Sequence, residues 1–136
     1  MRKVMKASAI LAAGVTCGLV APASGQQRSL AMLDSLETGR WEVRLRDGSQ
    51  RTYPLCIQSG RALIQLRHDR LPCDRLVVDD TANEVTVQYT CKGRGYGRTH
   101  IRRENNRLVQ IETQGVAEGL PFVFSAEARR TGTCGS

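Results

Sequence analysis

The chain has 136 residues, of which 40% are hydrophobic and 24% charged, which argues against both a disordered tail and a membrane protein and leaves room for one small domain. Six aromatic residues serve the whole chain, so large side chains for a core are scarce. The formal charge is +7, but Arg2, Lys3 and Lys6 supply part of it at the very start.

Those three cations precede Ala7 to Val20, a run of 14 apolar and small residues, and then Ala21-Pro22-Ala23. The order is that of a secretory signal peptide over residues 1–25, cleaved after Ala23 or after Gly25. A spanning helix needs about 20 apolar residues, so no stable membrane span is expected after cleavage. Cys17 is expected to leave with the leader, since Val15-Thr16 before it are a poor match to a lipoprotein site. The remaining 26–136 is expected to form a single disulfide-stapled β domain with 17 cations and 13 acids, a net +4. Sixteen of the 17 cations are arginine, and Lys92 is the exception.

Leu30, Leu33 and Leu36 recur at three-residue spacing and predict a short helix over Ser29 to Leu36, ending at Gly39. Trp41-Glu42-Val43-Arg44-Leu45-Arg46 alternates strictly, which predicts a strand with Trp41, Val43 and Leu45 inward. Asp47-Gly48 turns the chain, and the return strand to Cys56 contains Pro54, which suits an edge. Ser59 can cap a helix through Leu66, and Pro72 forbids a long continuation. Leu76-Val77-Val78 and Val85 to Tyr89 read as strands around a polar turn, Asp79 to Glu84. Further strands run over Thr99 to Glu104 and Leu108 to Gln114, joined by a turn at Asn105-Asn106. After a turn near Glu118-Gly119, a last strand places Phe122, Phe124, Ala126 and Ala128 on one face.

Every strong strand has one polar face, which predicts an antiparallel sheet. The fold class is therefore mainly β: a meander of six or seven strands forming a curved sheet or open barrel, with one or two short helices and two disulfides. Four cysteines remain after the leader, Cys56, Cys73, Cys91 and Cys134, an even number for an exported chain and too widely spaced for a structural zinc. Cys73 and Cys91 are equidistant from Ala82, so a hairpin centred there sets Val77 opposite Val87 and Cys73 opposite Cys91. The pairing is then Cys73–Cys91 and, by elimination, Cys56–Cys134. A one-residue shift of the turn would spoil the alignment, and Cys56–Cys73 with Cys91–Cys134 is the alternative.

The leader, Leu33-x-x-Leu36-x-x-Gly39-x-Trp41-Glu42-Val43, Leu55-Cys56-Ile57, Cys73, Cys91 and the closing Gly132-Thr133-Cys134 resemble the proteobacterial exported family filed as domain of unknown function 3617. Where that family commonly has Thr-Pro-Glu after the first cysteine, this chain has Gln58-Ser59-Gly60. The resemblance implies an exported domain with this cysteine framework and no assigned activity.

Residues 92–107 hold six cations against Glu104, a local +5, so the rest of the domain is near neutral. Within them, Lys92, Arg94, Tyr96, Arg98, Arg102 and Arg103 form a candidate polyanion-binding set: glycines let the backbone approach, arginines pair phosphate and the tyrosine stacks. Gly93, Gly95 and Gly97 equally suit a bend between strands with the arginines as a solvated face. The glycines match neither a P-loop nor a dinucleotide fingerprint. The expected partner is an anionic envelope component or a protein, in the periplasm or outside the cell, with no nucleic acid, cofactor or metal. A second reading is a carrier of a small apolar ligand inside the sheet, lined by Trp41, Val43, Val87, Tyr89, Ile111, Phe122 and Phe124. No catalytic residue is predicted; a hydrolase would have to use His68 or His100, and neither has a recognisable nucleophile beside it.

Overall fold

Alternation of apolar and charged side chains lets one face of a strand leave water while the other stays in it, and seven such strands build the sheet of this protein. The structure is a computed structural model that describes residues 29–135. The expected leader over 1–25, its cleavage sites and Cys17 lie outside the described residues. Chain order is α1 (Ala31–Asp34), β1 (Gly39–Leu45), β2 (Thr52–Ile57), a 3-10 helix (Gly60–His68), β3 (Asp74–Asp80), β4 (Glu84–Cys91), β5 (Gly95–Asn105), β6 (Leu108–Ala117) and β7 (Leu120–Gly132).

The strands form one open sheet in the order β2-β1-β7-β6-β5-β4-β3, and every neighbouring pair is antiparallel. The expected meander runs from β3 to β7. The β1–β2 hairpin then lies along β7, so β2 and β3, consecutive strands, become the two edges of the sheet. Pro54 is accordingly on an edge strand, where its missing N–H costs no ladder bond.

The 3-10 helix carries the chain between those edges and packs on β4 and β5. Ser59 caps it, its hydroxyl accepting the Arg61 N–H at 3.2 Å. The helix breaks at Gln65, whose buried amide donates to the carbonyls of His68 and Leu71 and accepts from the Arg75 guanidinium of β3. The first helix is shorter than the leucine spacing predicts. Leu30 sits in the left-handed region at φ 56° and gives its N–H to the Asp80 carboxylate rather than extending a helical turn. Leu30, Leu33 and Leu36 are still buried as a set.

Both helices cover the same face of the sheet, hereafter the inner face. Trp41 and Val43 of β1, Val85, Val87 and Tyr89 of β4, Ile101 of β5, Val109 and Ile111 of β6 and Ala126 and Ala128 of β7 meet Leu33, Leu63 and Ile64 there. Burying each of the larger aliphatic side chains is worth about 1.5–3 kcal/mol. The residues expected to line an apolar cavity are thus packed against the protein's own helices, with Phe122 and Phe124 half-buried where that cover ends.

Both disulfides pair as expected, Cys56–Cys134 and Cys73–Cys91. In the β3–β4 hairpin Val77 faces Val87 and Asp74 faces Thr90, the register that brings Cys73 to Cys91. Nearer the turn the pairing shifts by one, to Asp79 opposite Thr86, because a bulge lies between Val77 and Asp79. The turn is therefore off centre and the bulge restores the register that the bridge needs.

Candidate binding face

The uncovered face of the sheet, the outer face, takes the even-numbered residues of β5: Tyr96, Arg98, His100 and Arg102. Strand alternation sends Arg103 to the opposite side. There its guanidinium donates to Ser35 Oγ, Asn106 Oδ1 and Asn83 Oδ1, at 3.0–3.1 Å, tying α1 to two turns at one end of the sheet. Lys92 and Arg94 lie in the β4–β5 turn, and Arg94 is held at 2.7 Å by Glu118 of the β6–β7 turn. The six residues of the candidate polyanion-binding set, five cations and Tyr96, are therefore not one patch. Tyr96, Arg98 and Arg102 share the outer face, Lys92 and Arg94 flank it, and Arg103 is a structural clamp.

Ion pairs divide the outer face. At the β1 side Arg46 meets Glu127 at 3.0 Å and Arg129 meets the same carboxylate at 3.5 Å, while on β5 Arg102 meets Glu104 at 2.6 Å. Burial works to raise the Glu127 carboxyl, but the Gln110 hydrogen bond and the charges of Arg129 and Arg46 outweigh it and hold the group below the usual range. Arg98 is different. It lies between Gln88 and Gln114 in register, with Val123 beyond, and has no ion pair or side-chain hydrogen bond among the described residues. Lys92 is likewise unpaired among the described residues. Tyr96 is 51% exposed and Val123 76%, and both stand beside Arg98 on this face.

The two histidines occupy opposite faces. His68 is buried under the inner face, with Nδ1 3.1 Å from the Tyr89 hydroxyl and Nε2 3.3 Å from the Arg94 carbonyl. The carbonyl can only accept, so Nε2–H donates to it and Nδ1 accepts from Tyr89. Both ring nitrogens are thereby engaged. His100 is half-buried on the outer face, with Nδ1 3.1 Å from Thr86 Oγ1 and with Glu112 opposite it in β6.

The glycines of the basic segment have local work. Gly93 (φ 75°) makes the turn. A Cβ on Gly95 would strike the Val116 carbonyl, and one on Gly97 would enter the Tyr89 ring, which crosses β5 at that point. No family model, curated protein or solved structure matches this chain.

Proposed function

We propose that the chain is an exported binding domain, without catalysis of its own, that docks on an anionic lipid surface of the cell envelope through the outer face around Arg98. The observation that carries this reading is Arg98, unpaired among the described residues, beside exposed Tyr96 and Val123. A headgroup layer offers phosphate to a guanidinium and a half-apolar boundary to a tyrosine and an aliphatic side chain. Lys92 adds a second cation at the rim, whereas Arg102 and Arg94 are already paired and contribute less. Two disulfides fit an oxidising compartment, and the leader pattern supports export. The resemblance to the domain of unknown function 3617 family belongs to the same proposal.

Co-sedimentation with vesicles tests it. Phosphatidylglycerol vesicles are expected to bind the protein and phosphatidylcholine vesicles not to. The binding should weaken as salt rises, and Arg98→Glu, a change of two charges at about 1 kcal/mol each near an anionic leaflet, should lower it by about thirtyfold. Equal binding to both vesicles, or an Arg98→Glu variant that binds as the parent does, overturns the reading.

A further inference from the structure

β7 has 13 residues and β1 seven, so β7 outruns its partner. Their ladder runs from Arg40 opposite Gly132 to Leu45 opposite Ala126, and one more bond joins the Arg46 N–H to the Ser125 carbonyl at 2.8 Å. Beyond that point residues 120–124 pair with β6 alone among the described residues. Backbone groups alternate sides along a strand. Since Ser125 points its carbonyl at β1, the Val123 N–H and C=O and the Pro121 C=O point into the lane that β1 has vacated. A row of unpaired backbone groups is a template for another strand.

The lane opens into a cleft of about 1000 Å³. Tyr53, Leu66, Phe122 and Phe124 line it, with exposed Arg51 and Arg67. Arg51 lies 3.5 Å from the Asp47 carboxylate, while Arg67 has no ion pair among the described residues. Val123 projects from the other side of the same lane.

We propose that this lane receives an extended segment of another polypeptide as an added strand on β7, with apolar side chains at alternate positions over Phe122 and Phe124 and a carboxylate toward Arg67. The Val123 N–H and C=O and the Pro121 C=O supply up to three backbone hydrogen bonds, because proline has no N–H to donate. The alternate aromatic side chains select apolar residues at every second position, and the unpaired Arg67 selects the acid. This inference goes beyond the lipid-facing reading and does not rest on it.

The probe is a synthetic hexapeptide of alternating valine and threonine closed by aspartate, titrated into the protein labelled with nitrogen-15. The Val123 amide should shift, Arg67→Glu should weaken binding several-fold, and Val123→Pro should weaken it at least tenfold at an unchanged melting temperature, since that N–H bonds nothing within the sheet. The fully N-methylated peptide, which requires no change in the protein, should also lose at least tenfold. Absence of binding at millimolar peptide, shifts confined to residues away from β7, or an N-methylated peptide that binds as well as the parent overturns the proposal.

Discussion

Gly97 lies directly opposite Tyr89, and the absence of its Cβ is what lets the phenol ring cross β5 toward Thr113. Gly97→Ala is therefore expected to lower the free energy of unfolding by about 1–3 kcal/mol, the cost of forcing a packed ring aside. Gly132→Ala, where a Cβ meets open space, should change it by less than about 0.5 kcal/mol. Urea titrations of both variants check the contrast. The alternating glycines were legible as a backbone device, but the sequence did not say for what. For Gly97 the reason is a ring from another strand, and nothing in Lys92 to Gly97 names Tyr89 as the residue that fills the space. Arg103 is the converse case. Strand alternation, already used to orient Trp41 and Val43, separates it from Arg102, and grouping by charge obscured that signal.

Besides its apolar packing, the 3-10 helix is fastened to β4 by one side-chain hydrogen bond among the described residues, between His68 Nδ1 and the Tyr89 hydroxyl. Burial pushes the Tyr89 phenol up to about 12, and its hydrogen bond with Thr113 offsets only part of this. An unfolded chain releases that proton near pH 10, so between about pH 10 and 12 the unfolded state has lost a proton that the folded state keeps. Stability should fall across that window as pH rises. Tyr53, raised by burial and by the Asp69 charge, acts in the same sense, so Tyr89→Phe should reduce the loss without abolishing it. Melting temperatures of the two proteins from pH 9 to 12 provide the comparison. At this scale most of the sequence could be read: the β3–β4 register, the Ser59 cap and the edge position of Pro54 each rest on local chemistry. The bulge at Val78 could not be read, because no glycine or proline marks it. Nor could the pairing of β1 with β7, since two amphipathic strands of the same period fit many partners and only the assembled sheet chooses among them.

Across the whole molecule the two bridges close loops of unequal length, 78 residues for Cys56–Cys134 and 18 for Cys73–Cys91. Loop-closure entropy gives about 4.5 kcal/mol for the long one and about 3 kcal/mol for the short one. Replacing Cys56 and Cys134 by alanine should therefore destabilise the protein more than replacing Cys73 and Cys91, read as the free energy of unfolding from urea titrations in which each variant keeps its own slope. The long bridge also fastens edge strand β2 to the segment that follows β7. β7 itself lies between β1 and β6 although it is the last of the seven strands described. A polypeptide that emerges N-terminus first, from a ribosome or a translocation pore, consequently holds a hairpin and a four-strand meander with no strand between them. The two halves become one sheet only after β7 arrives, so folding of the sheet waits for Leu120–Gly132, and a product truncated before Leu120 lacks the strand that joins them.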